Sequence, residues 1–235
     1  MTRLHRDAEA LAVLGDDLRR RLYLFVRGAG GPVTREEAAA AVRVSRKLSA
    51  FHLDKLADRG LLDVSYARPP GRGGPGAGRT SKYYAASERE FEITIPERHY
   101  DLLGLILLRA IDTQSPGETA QESARRAAYE AGHEIGRRER ERMGLRRLGR
   151  ERAAVAASKV LADRGYEPYR DQGGAVHLRN CPFHALAEES RPLVCRLNRE
   201  LVGGLVSGLG NKSLEVVQVA LEPQPRQCCV RLGPV

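Results

Sequence analysis

The first thirty residues have the hydrophobic spacing of an amphipathic helix. Between residues 10 and 27, apolar side chains recur at steps of three and four, at Leu11, Leu14, Leu18, Leu22, Phe25 and Val26. That spacing lines one face of an α-helix, and a run of glycines followed by Pro32 ends it. A second helix is predicted over residues 35–41, because Thr34 and Glu37 stand at the spacing of a capping box.

A third helix is predicted over residues 46–59. Ser45 is suited to its N-cap, and Gly60 follows where a glycine commonly ends a helix. The side of this helix that faces the core is expected to hold Leu48, Phe51 and Leu56. Its N-terminal half is then left exposed.

Two short runs with strand character follow this helix, at residues 61–66 and 82–86. The loop between them is rich in glycine and proline and contains three arginines and no acidic residue. The predicted order is therefore helix, helix, turn, helix and hairpin. We interpret residues 1–90 as a winged helix-turn-helix domain.

Residues 91–165 are predicted to form a helical linker and dimerisation region. A hydrophobic helix is expected from Ile95 to residue 112, with Pro96 in its first turn. Apolar residues cover most of its circumference, and a helix of that kind is buried on several sides. We therefore expect it to pack between the two subunits of a homodimer. Further helices are expected over residues 120–148 and 151–164.

Residues 166–235 change to mixed α and β character. Alternating runs at residues 166–170 and 175–179 predict a hairpin. One helix is expected from Cys181 to Val206, and strands are expected at residues 214–221 and 228–232. The chain as a whole is therefore predicted to have an α+β fold, with an N-terminal winged helix-turn-helix and a C-terminal α+β sensor domain.

The charge of the chain favours a polyanionic partner for its N-terminal part. The formal net charge is +9, and residues 1–90 contain 17 Lys and Arg against 11 Asp and Glu. Lysine and arginine that neutralise phosphates release counterions, which favours binding to nucleic acid. No segment has the pattern of a signal peptide or of a membrane span. We therefore expect a cytoplasmic protein with no membrane partner.

The stretch from Val44 to Leu62 contains the pattern His-Leu-x-x-Leu-x-x-x-Gly-Leu, which begins at His52. It resembles the recognition-helix signature of ArsR/MarR-like winged-helix regulators, and the resemblance implies binding to a double-stranded DNA operator. Candidate DNA-binding residues on this helix are Ser45, Arg46, Lys47, Ser49 and His52. An arginine can pair with guanine through two hydrogen bonds, and serines can contact phosphates or bases. The alternative is an ordinary solvated helix face.

The loop of the predicted wing adds Arg72 and Arg79 to the candidate DNA-binding residues. Both stand among glycines, so their side chains could reach the flanking minor groove or the phosphates. The alternative is a surface loop without a nucleic-acid contact.

All four cysteines lie beyond residue 180, at Cys181, Cys195, Cys228 and Cys229. Their spacing is not that of a zinc finger. It resembles the C-terminal region of iron–sulfur-sensing repressors of the SufR type. The resemblance implies that Cys181, Cys195 and either Cys228 or Cys229 hold a cluster. Strand alternation favours Cys228 as the third ligand, and His184 is the nearest candidate for a fourth.

The function predicted from these features is that of a DNA-binding regulator, a repressor by resemblance, whose operator affinity depends on an iron–sulfur cluster. Zinc or another thiophilic metal could occupy the same cysteines. The thiols could instead be buried packing residues, a metal-free redox switch, or bystanders in a regulator that binds a small-molecule effector. The chain contains no phosphate loop, nucleophile elbow or paired acid and base motif, so we do not expect an enzyme.

Overall fold

The computed structural model describes residues 3–68, 80–145, 149–210, 214–218 and 227–234. These residues form an α+β protein with two small antiparallel sheets. The chain divides into two compact units, Met1–Ile93 and Thr94–Val235. In the described ranges, every helix is too short or too polar to cross a membrane.

The described residues of the first unit form four α-helices and a three-stranded sheet. The helices are α1 Arg3–Ala12, α2 Asp17–Gly28, α3 Arg35–Val42 and α4 Arg46–Asp58, and the strands are β1 Val33–Thr34, β2 Leu62–Ala67 and β3 Ser81–Ala86. All pairings are antiparallel and the strand order is β1-β3-β2. The predicted hairpin is therefore present, with Val64 opposite Tyr84. Tyr84 belongs to the core beneath α2 and α4, together with Leu22, Leu53, Leu56 and Leu61.

The predicted helix caps of this unit are confirmed. Thr34 and Glu37 form the capping box, with the Glu37 amide donating to Thr34 Oγ1 over 3.2 Å and the Thr34 amide donating to Glu37 Oε2 over 2.7 Å. The Leu48 amide donates to Ser45 Oγ over 3.2 Å at the start of α4. Gly60 has a φ of +73°, a conformation that glycine adopts without steric cost at the end of a helix.

The prediction of one helix over residues 10–27 is wrong. Helix α1 is followed by a 3₁₀ turn, Val13–Gly15, and α2 starts afresh after Asp16. Asp16 has an extended backbone and its side chain accepts a hydrogen bond from the Arg19 amide over 2.9 Å. Asp16 is therefore the N-cap of a separate helix, because it supplies a partner for an otherwise unpaired amide at the start of α2.

The predicted buried side of α4 is wrong for two of its three residues, while Leu56 is buried as predicted. Leu48 and Phe51 are 40% and 52% exposed, whereas Ser49 and His52 are 0% and 8% exposed. Leu53 and Leu56 are fully buried on the same side as Ser49 and His52. The helix is therefore rotated from the predicted orientation, because its small and polar residues pack against the rest of the unit.

The second unit contains five helices and a four-stranded sheet among its described residues. The helices are α5 Tyr100–Asp112, α6 Ala120–Arg142, α7 Arg150–Ala162, α8 His184–Glu189 and α9 Arg191–Gly208. The strands are β4 Pro168–Arg170, β5 Val176–Leu178, β6 Leu214–Gln218 and β7 Val230–Pro234, in the antiparallel order β4-β5-β7-β6. The predicted hairpin at residues 166–179 is confirmed as β4 and β5.

Helices α6 and α9 cross with their backbones in close contact. A Cβ atom built on Gly132 of α6 would lie 1.9 Å from the carbonyl oxygen of Leu201. One built on Gly204 of α9 would lie 2.0 Å from the carbonyl oxygen of Tyr129. Only glycine permits this approach, so these positions fix the helix pair on which Cys195 of α9 is carried.

Several predictions for the second unit differ from the structure. The helix predicted over residues 120–148 ends at Arg142 as α6. Pro96 does not open a helix, since α5 begins at Tyr100. The helix predicted from Cys181 to Val206 is two helices, α8 and α9, separated at Ser190. Cys228 and Cys229 precede β7 rather than belonging to it, and both are buried. The strand-alternation argument that favoured Cys228 over Cys229 therefore does not apply.

Helix α5 buries one side rather than most of its circumference within the chain. Leu103, Ile106 and Ala110 are 5% exposed or less and pack with α6 and α9. Leu105, Leu108 and Ile111 are 60–73% exposed. The helix thus has an inner apolar face that belongs to the core of the second unit and an outer apolar face that the described residues of that unit leave exposed.

Candidate functional site

The first candidate surface is the exposed N-terminal half of α4. Ser45 caps this helix, so the backbone amides of its first turn point toward the same end as Arg46 and Lys47. The Arg46 side chain is 67% exposed and its Nη1 lies 3.5 Å from Glu36 Oε1. Such a surface ion pair is weak, because water screens both charges. Arg46 is therefore free to exchange Glu36 for another anionic partner.

Two of the predicted DNA-binding residues are not on this surface. Ser49 and His52 are buried, and neither Ser49 Oγ nor His52 Nδ1 has a hydrogen-bond partner among the residues that the structure describes. Burial lowers the pKa of His52, although the Asp16 carboxylate opposes the shift, so its imidazole is neutral at physiological pH. The structure thus places Ser45, Arg46 and Lys47 together at the exposed end of α4 and places Ser49 and His52 on its core side. Arg72 and Arg79 lie outside the described residues.

Hydrogen bonds between polar side chains, here called the Asp54 cluster, join helix α4 to strand β3. Asp54 Oδ1 accepts hydrogen bonds from Lys82 Nζ over 2.5 Å and from Tyr84 Oη over 2.7 Å. Burial raises the pKa of Asp54, but the bonds from Lys82 and Tyr84 outweigh it and hold that pKa below its ordinary value. Burial and the hydrogen bond to Asp54 raise the pKa of Tyr84 above its ordinary value. The cluster fixes the angle at which α4 presents its exposed end.

The second candidate site is a cavity of about 350 Å³ in the second unit. All four cysteines line it, although they come from three separate parts of the chain. Cys181 follows β5 and is half-buried, Cys195 is buried in α9, and Cys228 and Cys229 are buried just before β7. The remaining charged and polar lining residues are Arg98, Arg179, Asn180, His184, Glu188, Arg191 and Gln227.

The four thiols are close enough to affect one another's ionisation. The Cys228 thiol and burial raise the pKa of Cys181 well above its ordinary value. The Cys229 thiol lowers the pKa of Cys195, and the nearby Arg191 guanidinium acts in the same direction. The cysteines from the three segments therefore form one electrostatically linked group.

The donor set of this cavity matches a thiophilic metal or cluster in its chemistry. Four sulfur atoms on one cavity are the ligands that zinc and iron–sulfur clusters take. Within the described ranges, no three His, Cys, Asp or Glu side chains are already arranged around one point as metal ligands. Metal binding would therefore require the four thiols to rearrange around the metal and to lose their protons.

His184 lines the cavity but differs from the cysteines in its setting. Its side chain is 58% exposed, and its Nε2 lies 3.3 Å from Glu188 Oε1 on the same helix. Because Cys228 and Cys229 are both present, the cavity offers four sulfur donors without it. The resemblance implies either Cys228 or Cys229 as the third ligand, and the structure brings both to the cavity.

Sequence reasoning missed several polar residues that hold the cysteines. Asn198 is 1% exposed and donates from Nδ2 to Cys228 Sγ over 3.2 Å. Its Oδ1 accepts a hydrogen bond from the buried Tyr166 hydroxyl over 2.5 Å. The available signal was its position three residues after Cys195, which puts both on one face of α9. No sequence pattern indicated Tyr166.

Arg98 and Asn180 were also missed. Arg98 lies 83 residues before Cys181, and no sequence pattern marks Asn180, its direct neighbour, as a support. Arg98 Nη1 donates to the carbonyl oxygen of Cys181 over 2.8 Å and to Asn180 Oδ1. Asn180 Nδ2 donates in turn to the carbonyl oxygens of Glu97 and Gly165. These contacts hold the backbone on both sides of the Cys181 thiol.

Comparison of the chain with protein-family models, with curated proteins and with solved structures finds no match in any of the three.

Proposed function

We propose that this protein is a homodimeric, DNA-binding transcriptional regulator. In this proposal Met1–Ile93 is a winged helix-turn-helix that binds a double-stranded operator through α4. An iron–sulfur cluster, or another thiophilic metal, is held by Cys181, Cys195, Cys228 and Cys229 and controls the affinity for that operator. The single observation that carries the proposal is the convergence of four cysteines from three chain segments on one cavity, in a chain that also presents a capped, basic helix end.

The DNA-binding part is supported by the arrangement of α3, α4 and the β2–β3 hairpin. Arg43, with a φ of 59°, joins α3 to α4 in a tight turn. In helix-turn-helix proteins the N-terminal residues of the second helix contact base edges in the major groove. Arg46 and Lys47 occupy those positions here. The surplus of basic residues in residues 1–90 adds a sequence-independent attraction to phosphates.

The regulatory part is supported by the way the cysteines are held. Three of the thiols are buried, and Asn198, Tyr166, Arg98 and Asn180 orient them or their backbone. When bound, an iron–sulfur cluster supplies a centre whose ligation and charge change with oxidation or loss. The residues of this chain would then pass that change on through the contacts of the Cys181 segment with residues 97–99, which lead into α5.

The dimer is supported by the outer face of α5. Leu105, Leu108 and Ile111 are separated by three residues each, so they lie along one side of the helix and expose apolar surface. A second copy of the chain is the proposed occupant, because a two-fold dimer brings the same apolar patch from both subunits together. Two recognition helices related in this way suit two operator half-sites about one DNA turn apart, roughly 34–36 Å.

The cluster is tested by anaerobic reconstitution of the full chain with ferrous iron and sulfide. The wild-type protein is expected to retain iron and sulfide and to develop broad visible absorption. Cys195→Ser should retain much less of both. His184→Ala is the matched control, because His184 lines the same cavity but pairs with Glu188, and it should retain wild-type amounts. Colourless, metal-free wild-type protein would contradict the proposed cofactor and favour an organic effector in the cavity.

The DNA-binding part is tested separately by selecting duplexes from a random-sequence pool with the full chain. Arg46→Ala and Lys47→Ala should bind the selected duplex more weakly, and each lost phosphate contact should reduce the salt dependence by about one unit of slope. Lys159→Ala is the control, because Lys159 is an exposed lysine at the end of α7 in the other unit. Failure to select any duplex, or equal effects of all three variants, would contradict the proposed role of α4.

A further inference from the structure

The exposed end of α4 contains apolar side chains beside its basic ones. Leu48 is 40% exposed and Phe51 is 52% exposed. They are separated by three residues, so they are neighbours on the helix surface. The opposite side of the same helix buries Leu53 and Leu56 completely. The helix therefore places apolar residues on two sides, and only one side is used by the core of the unit.

The orientation of these two residues is fixed by the core side of α4. Ser49, Leu53 and Leu56 are each 0% exposed, so the helix cannot rotate to bury its outer residues without exposing them. Successive residues of an α-helix are separated by about 100°. Lys47 and Phe51 consequently lie on the outer side, and Leu48 lies beside Phe51 on its flank.

The Phe51 ring is also held in place locally. Lys55 Nζ lies 4.6 Å from the centre of the ring. The ring of His52 meets it edge-on, with 5.2 Å between the two centres. Phe51 is therefore an ordered aromatic side chain among cations rather than a loose surface residue.

We propose that Leu48 and Phe51 recognise thymine by contacting its C5-methyl group in the major groove. This inference rests on the proposed function, because it requires α4 to lie in that groove. Thymine is the only one of the four DNA bases that presents a methyl group there, and apolar side chains, including phenylalanine, recognise it by contact. Arg46 and Lys47 on the same helix end then bind phosphates or guanine.

The charges around the pair favour DNA over a protein as the surface they contact. Arg46, Lys47 and Lys55 are all exposed on α4 around Leu48 and Phe51. A protein partner for an apolar patch ringed by cations would need acidic groups at matching positions. The major groove offers methyl groups between two rows of phosphates, which matches both the apolar pair and its cationic border.

The inference is tested by replacing thymine with deoxyuridine in a duplex selected by the wild-type chain. Deoxyuridine keeps the base pair and removes only the methyl group. Each half-site should contain one or two thymines whose replacement weakens binding about fourfold, the effect expected for one buried methyl group. Leu48→Ala and Phe51→Ala should each lose this discrimination at one position, and should bind the deoxyuridine duplex about as well as the wild type does.

Leu24→Ala is the matched control, because Leu24 is a 57% exposed leucine on α2 of the same unit. It should keep the wild-type preference for thymine at every position. The inference is wrong if deoxyuridine has no effect, or if it weakens the wild type and both α4 variants equally. It is also wrong if the variants change only the oligomeric state, since the pair is then a protein contact. Loss of selectable DNA binding altogether would instead overturn the proposed function, and the inference with it.

Discussion

Arg98 donates a hydrogen bond from Nη1 to the carbonyl oxygen of Cys181 over 2.8 Å. The same nitrogen donates to Asn180 Oδ1, and the His99 amide donates to the carbonyl oxygen of Pro182 over 3.2 Å. The segment just before α5 is thus bound to the segment that carries the most exposed of the four thiols. A displacement of Cys181 would therefore also move the residues that precede α5, the helix with the outer apolar face.

Replacing Arg98 should test how firmly this contact holds the cysteine segment. Arg98→Ala removes two hydrogen bonds from a charged donor in a partly buried setting, and we expect it to destabilise the second unit by about 2–3 kcal/mol. Arg138→Ala, at a 73% exposed position paired with Glu134, should change stability by less than about 1 kcal/mol. Thermal unfolding of the full chain measures both. Similar shifts in the two variants would mean that the Arg98 contacts add nothing to the fold.

The Asp54 cluster should make the first unit sensitive to acid. The pKa of Asp54 is lower in the folded chain than its ordinary value of 3.8, so the carboxylate stabilises the fold above that pH. The contribution is lost as the pH falls through the lower, folded pKa. Asp54→Asn should therefore be less stable than the wild type at neutral pH, by at most about 1 kcal/mol because the carboxylate is half exposed.

Below pH 3.8 the difference between Asp54→Asn and the wild type should shrink, because the wild-type carboxyl also becomes protonated. Thermal unfolding across this range measures the effect. Asp58→Asn, an exposed position on the same helix, is the control and should follow the wild type. A difference between Asp54→Asn and the wild type that is constant with pH would show that the carboxylate charge does not stabilise α4 on β3.

Local rules identified α3, α4 and the β2–β3 hairpin of the first unit, but neither the break between α1 and α2 nor the burial of α4. The Thr34 and Ser45 caps and the Gly60 terminus depend only on residues a few positions apart, so the sequence contains the whole signal. Which side of α4 is buried depends on what packs against it. Counting apolar residues assigned Leu48 and Phe51 to the core, whereas the unit buries the small Ser49 and the polar His52 beside Leu53 and Leu56. Single-sequence periodicity treats such residues as surface positions.

The sequence predicted the cysteines of the cavity, but not the polar residues that hold them in place. Four cysteines confined to the last quarter of the chain indicated one site, and the structure places all four on one cavity. Strand alternation could not choose between Cys228 and Cys229, because both precede β7. Arg98 and Tyr166 contact the site through pairings between distant segments, and the sequence shows such pairings only once the fold is known.

The outer face of α5 provides a test of the proposed dimer. Leu108 is 60% exposed at the middle of this face, between Leu105 and Ile111. Leu108→Glu would place two charges against each other across a two-fold interface, and it should convert a dimer to a monomer in sedimentation analysis. Val155→Glu is the control, because Val155 is a 57% exposed apolar residue on α7. A dimer that survives Leu108→Glu would locate the interface elsewhere.

Two adjacent glycines of α9 have different surroundings where this helix crosses α6. Gly204 faces α6, and a Cβ built there would lie 2.0 Å from the Tyr129 carbonyl oxygen and 2.8 Å from the His133 amide nitrogen. These are backbone atoms, so relief requires the helices to separate. A Cβ on Gly203 meets nothing within 4 Å. The two positions share a helix and a residue type and differ only in the direction they face.

Replacing each glycine with alanine should therefore give opposite results. Gly204→Ala should destabilise the second unit by about 3 kcal/mol or more, because overpacking at a backbone contact cannot be relieved by rotating a side chain. Gly203→Ala should stabilise it by about 0.5–1 kcal/mol, because alanine loses less conformational freedom than glycine in a helix. Thermal unfolding of both variants measures the difference, and an equal change of the same sign would mean that α6 and α9 are not in backbone contact. If the two helices are in contact and the proposed metal binds, Gly204→Ala should also weaken the retention of that metal. The reason is that Cys195 and Asn198 lie on α9, the helix that the substitution displaces.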